Sequence, residues 1–376
     1  MEKESIENAP LGVLNEEQML QLKGKIVLNL NAKSIDGSAF DLHLSNEAWE
    51  IDTTAKLAEG ETVKDLLKNY NARPKDLSKP LDKKKVCIIK LKESLDFRMF
   101  ENSTGLYGRA SGKSSIGRLD ILTRLLVDYS PKYDEVPPAH KGDLYLEVIP
   151  ISFPIKLCEG FSMHQLRLFK GDPELSVIPS QELNNSSPML YKNENPVEPR
   201  NGILRVNLEP DKSSDDNICA FIAKDLDKEL DLTLPFNDAK YKYDPKEYWE
   251  SIHIEKKNLG LLMQMDRFYI LRSVERLFLP NNVAVACVAY TENLGELRIH
   301  YAGFAHPNFG RRRKDKLLGA PLIFEARCHN FQVRIRDKEQ FAKIEFYRMS
   351  KPSKRTSPYS DQELKLSNYF SKWENK

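Results

Sequence analysis

Cysteine is scarce in this sequence, and nothing in it is apolar for long enough to cross a membrane. The five cysteines, Cys87, Cys158, Cys219, Cys287 and Cys328, are scattered and odd in number. Without a close pair they exclude a dense disulfide framework and any C-x-x-C metal knuckle. Reduced thiols in a cytoplasmic protein are the expectation. No apolar run approaches the roughly 20 residues of a spanning helix, and the opening MEKESIENAP is too acidic and polar for a secretory signal. Charge of one sign is also missing: 57 basic residues face 55 acidic ones, a net +2. No global field therefore draws the chain to nucleic acid or a membrane. Seven histidines form no H-x-x-H or H-x-x-x-H pair.

What is present is a soluble, globular composition of 376 residues, 40% hydrophobic and 30% charged. Helical periodicity is confined to 15–23 and 61–70. Elsewhere short runs recur between turn residues, among them VCIIKL (86–91), DLYLEVI (143–149), HQLRLF (164–169), FYILRS (268–273), PLIFEAR (321–327) and AKIEFYRM (342–349). Many short strands at close spacing predict an all-β sandwich or barrel with a few short helices. Residues 171–202, rich in Pro, Asn, Ser and Gly, read as a linker between domains 1–170 and 203–376.

The chain repeats itself. At an offset of 178 Glu147 lies over Glu325, and EVIPISFPIKL lies over EARCHNFQVRI without a gap. Upstream the same offset sets KSSIGRLDI (113–121) over TENLGELRI (291–299), Gly117 on Gly295. Two copies of one β-domain are expected.

The most chemically loaded stretch is GLYGRASGKSSIGRLDILTRLL (105–126). Three glycines precede Lys113-Ser114-Ser115, and Arg118 follows on a helix start with Ser114 or Ser115 as its N-cap. Free N–H groups, hydroxyls and two cations can hold a polyphosphate. A P-loop is excluded: only three residues separate Gly108 from Gly112, one too few, and no alternating βαβ run follows. Downstream, Glu147 shares a strand face with Tyr145 and Ile149. A carboxylate among apolar neighbours has its pKa raised, as suits a general base. The plainer reading is a structural ion pair with Arg118 or Lys113. The zinc-deaminase signature is half absent: His253-Ile254-Glu255 supplies H-x-E, but no P-C-x-x-C exists. The basic run 311–316 reads as a solvated loop rather than a nucleic-acid site.

GKSSIGRLDILTRLLVD, YDEVPPAHKGDLYLEV and the FPIKL-type strands together resemble bacterial dCTP deaminases of the dUTPase-like superfamily. The two-copy layout, HYAGFAHPNFG (300–310) and YSDQELKLSNYF (359–370) resemble the long, two-domain form. The resemblance implies two tandem distorted jelly-roll barrels and hydrolysis of dCTP to dUTP and ammonia without zinc. Mg2+ would arrive with the triphosphate, dUTP or dTTP could also bind, and a homotrimer is expected. It implies that Lys113, Ser114, Ser115 and Arg118 contact the triphosphate and the attacking water. Glu147 would be the general base, Asp134 would lie near the deoxyribose, and Tyr145 and Leu146 would offer backbone to the base. Gln165 would lie near the nucleotide, and Tyr359, Gln362 and Lys365 would form a closing tail. Lys113 departs from the arginine often found there and loses its fork. His306-Pro307-Asn308 replaces the family's Asp-Pro-Gly, which puts in doubt a turn built on that glycine. At the offset of 178, copy two has Glu292, Asn293 and Glu296 where copy one has Ser114, Ser115 and Arg118, a charge reversal that would repel a triphosphate. Copy two is therefore expected to be a degenerate, structural partner, able to complete the active site of copy one. A dUTP-hydrolysing or bifunctional enzyme, and a non-catalytic dNTP-binding module, remain the alternatives.

Overall fold

The computed structural model describes residues 6–100, 105–179, 182–183, 188–192, 194–198, 200–210, 217–254, 260–288, 297–300, 303–310, 318–356 and 362–374. Tyr359, the basic run 311–316 and residues 291–296 lie outside them.

The first half is a barrel-like sheet of β1 (Ala39–Ile51), β2 (Val86–Asp96), β3 (Leu106–Gly112), β4 (Ile121–Val127), β5 (Glu135–Val136), β6 (Lys141–Pro150) and β7 (Ser162–Lys170). The second half repeats it as β8 (Ile203–Asn207), β9 (Phe268–Leu277), β10 (Val283–Val288), β11 (Leu297–His300), β12 (Phe304–Ala305), β13 (Ala320–Cys328) and β14 (Gln340–Arg348). The first sheet runs β4-β6-β2-β1-β7-β3-β5, and every pairing recurs in the second with each label raised by seven. The expected duplication is thus visible as topology. β6 and β13, and β7 and β14, fall at the offset read from the sequence. The match upstream of β13 does not: Arg124 lies opposite Glu147, but His300 lies opposite Glu325, an offset of 176.

The two predicted helices form. α1 (Glu16–Leu22) and α2 (Val63–Asn69) each begin in a capping box, Asn15 with Gln18 and Thr62 with Asp65. The glycine-rich stretch 105–112 is not a turn but strand β3. The helix after it is one turn, α3 (Ser114–Gly117), whose N-cap is Lys113, with no side-chain cap, rather than a serine.

Alternation divides β6 between two cores. Leu144, Leu146 and Val148 face the main core with Ile116 and Leu119. Tyr145 and Ile149 face a satellite core with Leu57, Val63, Leu66 and Leu67. Segment 52–72 builds that satellite: it leaves the sheet after Ile51 and returns at Arg73, opposite Glu50. The second half makes the same excursion after Ala223 and returns at Trp249. Its excursion, however, crosses to the first barrel. Leu230 pairs with Ile155, and Tyr248 stands edge-on to Phe153 at 5.4 Å. Leu366, Tyr369 and Phe370 complete the first barrel's core.

The stretch 171–202 is not a free tether. Ile178, Leu183, Met189 and Leu190 are buried in the second core, where apolar side chains outweigh the surrounding Pro and Asn.

Candidate active site between the two barrels

Three rows of side chains meet at α3. Gln165 of β7 lies opposite Asp41 of β1 and Ser111 of β3, so all three share a face. Lys113 reaches Asp41 at 2.6 Å. Lys113, Ser114, Gln165, Asp36 and Asp41 line a cavity of about 660 Å3, closed from the second half by Phe304, His306, Lys354 and Arg355, with Lys33 on its rim. That volume suits a small-molecule ligand. Lys33, Lys113, Lys354 and Arg355 outnumber Asp36 and Asp41, which favours an anion. Burial holds His306 neutral, its pKa pushed down to about 3.

At the other end of the turn stands a carboxylate from copy two, the half expected to be structural. Gly117 lies against Glu325 of β13, so closely that a Cβ there would collide with both carboxylate oxygens. Glu325 is 1% exposed. Its strand neighbour Arg327 crosses to the first barrel and pairs with Asp120, which also accepts from Ser152 Oγ at 2.7 Å. Arg118, the last residue of the motif, is buried and donates to Gln362 Oε1 at 2.6 Å and to the Lys365 carbonyl at 3.4 Å. Gln362 donates in turn to the Pro321 carbonyl at the start of β13 (3.0 Å), and Ser367 Oγ to the Ser115 carbonyl (2.6 Å). Burial, with Arg118 beside it, lowers the Lys365 pKa. Gln362 and Lys365 thus meet the motif, as a closing tail requires.

Glu147 is elsewhere. Its side chain lies on the satellite face of β6, the sheet face opposite Ile116 of α3. Arg124, not Arg118 or Lys113, is its partner, with Nε 2.9 Å from Oε1. Thr54 Oγ1 donates to Oε2 at 2.8 Å, and the Arg124 guanidinium stacks on Tyr133 at 4.3 Å. Burial raises the Glu147 pKa and Arg124 opposes it. The pKa direction suits a base, but the cover over the carboxylate is segment 52–72 rather than the motif turn.

Tyr145, Leu146 and Asp134 are also absent from the cavity lining, as are Ser115, Arg118, Gln362 and Lys365. Tyr145 and Leu146 sit between β2 and β4, paired on both sides, so their backbone is committed to the sheet. Burial pushes the Tyr145 phenol up to about 12. Asp134 Oδ1 accepts from the Leu125 N–H (2.8 Å) and lies 2.9 Å from His164 Nε2. The sequence carried one signal for Glu325: the repeat itself laid it over Glu147.

Gly117→Ala pushes the Glu325 carboxylate off the turn. Turnover falls about 100-fold, the cost of misplacing a reacting group by about 1 Å, while the urea midpoint stays near native. Unchanged kcat would show that this contact positions nothing.

Comparison with known proteins places the whole chain in a family. Residues 10–172 match the family model of the 2'-deoxycytidine 5'-triphosphate deaminase N-terminal domain, and residues 179–370 that of its C-terminal domain. No curated protein matches the sequence. A solved 2'-deoxycytidine 5'-triphosphate deaminase from Agrobacterium tumefaciens is similar in structure at 25% identity and a TM-score of 0.79, over 90% of this chain and 99% of that one. With both domain models spanning nearly the whole chain, this protein belongs to the 2'-deoxycytidine 5'-triphosphate deaminase family.

Proposed function

We propose that the chain deaminates dCTP to dUTP and ammonia at one site, built from the α3 turn of the first barrel and Glu325 of the second. The observation that carries this is the Glu325 carboxylate against Gly117, inside the Lys-Ser-Ser-x-x-Arg motif whose first two residues line a cationic cavity. A general base must first lie within reach of its proton; its pKa comes second. On that ground Glu325 takes the role expected of Glu147.

In this mechanism Glu325 removes a proton from a water held by Ser114. The hydroxide adds to C4 of cytosine while Glu325 passes the first proton to N3, which gives a neutral tetrahedral centre. Glu325 then carries the proton of the added hydroxyl to the amino group, the C4–N bond breaks, ammonia leaves and a C4 carbonyl remains. Arg118, tied to Gln362, fixes the turn under the reacting atoms. Lys113 and Ser115 serve the phosphates, and Mg2+ enters with the triphosphate as part of the substrate. Glu147, with Arg124 and Thr54, is a structural ion pair. Turn and carboxylate belong to one chain.

The test is product analysis on dCTP and dUTP with Mg2+, repeated after strong zinc chelation. Ammonia from dCTP, unaffected by the chelator, supports the reading. Pyrophosphate from dUTP without ammonia from dCTP would assign the chain to the hydrolytic branch. Nucleotide binding without either product would make it a non-catalytic module.

A further inference from the structure

The motif accounts for only part of the cavity. Its opposite wall comes from the segment that follows β14, and that segment is clasped from three sides. Asn15 Nδ2 donates to the Pro352 carbonyl (3.0 Å), and Gln18 Nε2 to Ser350 Oγ (2.9 Å). Glu16 accepts from Ser353 Oγ (2.9 Å) and from the Lys354 N–H (2.7 Å). The capping box of α1 thus doubles as a clamp on the second half. Asn308 completes it, donating from Nδ2 to the Arg355 carbonyl at 2.7 Å. Asn308 has φ 65°, a left-handed conformation that asparagine tolerates, so the turn survives without the family's glycine.

These contacts present Lys354 and Arg355 to the cavity differently. Lys354 Nζ is drawn outward to Glu17 at 2.7 Å. Arg355 lines the cavity together with Asp36, whose carboxyl pKa burial raises and Arg355 opposes.

We propose that Arg355 grips the outer phosphates of the substrate across the cavity from Lys113 and Ser114, so that the polyphosphate bridges the two barrels. This rests on the reading that the cavity takes the triphosphate. A guanidinium fork matches two phosphate oxygens, which a lysine cannot. Asp36, on the same lining, opposes the incoming phosphate by its charge.

The experiment is calorimetric titration of inorganic tripolyphosphate into the full-length protein. Arg355→Ala weakens binding about 10–100-fold, the range of a lost charge-assisted pair. Arg355→Lys falls between native and alanine, and Asp36→Asn binds more tightly than native. A gain of affinity cannot come from misfolding, so the Asp36 variant guards against that explanation. Native-like binding by Arg355→Ala, or weaker binding by Asp36→Asn, overturns the proposal. The deaminase reading is separable. If no ammonia is ever released but Arg355→Ala still loses tripolyphosphate, that reading fails and this one stands. Ammonia release with unaltered tripolyphosphate binding sinks the role of Arg355 and leaves the deaminase intact.

Discussion

Glu325→Gln lowers dCTP turnover by about 100–10,000-fold, the contribution of a positioned proton-transfer group, while KM stays near native. Glutamine keeps the shape and removes the basicity, so substrate binding and the packing against Gly117 persist. Glu147→Gln is the paired experiment and retains turnover within a few-fold. The two residues occupy equivalent places in β6 and β13, and both are buried. What differs is the cover: helix α2 and Thr54 over one, the motif turn over the other. The reverse result, with Glu147→Gln inactive and Glu325→Gln active, would return the base to the first barrel and sink the interbarrel site.

Arg327→Ala is expected to destabilise the chain by about 3–5 kcal/mol, because removing one partner of a buried pair leaves the other charge uncompensated. Arg327 is 6% exposed and Asp120 0%. The pair joins β13 to the loop that follows Arg118, so its loss loosens the barrels where the site is built. Urea unfolding reads the change. The double variant Asp120→Asn with Arg327→Met should lose less than the sum of the single variants, since both charges go together and asparagine tolerates the left-handed φ of 58° at position 120. Additive losses would mean that the two side chains do not interact.

Much of this architecture was legible in the residues. Period-two runs such as DLYLEVI marked the strands, the offset of 178 revealed the duplication, and Lys113 to Arg118 pointed to the site. Helical periodicity over 15–23 and 61–70 marked both helices. The partner of the motif was not legible. Alternation states which face of β6 Glu147 occupies, but not what lies over that face. Segment 52–72 has no chemical motif, yet it decides the matter, because Val63, Leu66 and Leu67 seal the first carboxylate. The equivalent excursion, 224–248, goes to the other barrel and leaves Glu325 for the motif. The two-residue shift beside β13 was hidden for a similar reason: pairing register is set in three dimensions, and apolar alternation alone fits either frame.

The first barrel's core is finished by Leu366, Tyr369 and Phe370. During synthesis that barrel would leave the ribosome some 200 residues before its last wall arrives, at roughly 5–20 residues per second a wait of tens of seconds. The nascent half must stay partly open through that interval, with apolar surface within reach of chaperones. The two barrels therefore mature together as a single folding unit, although each has the topology of a complete one.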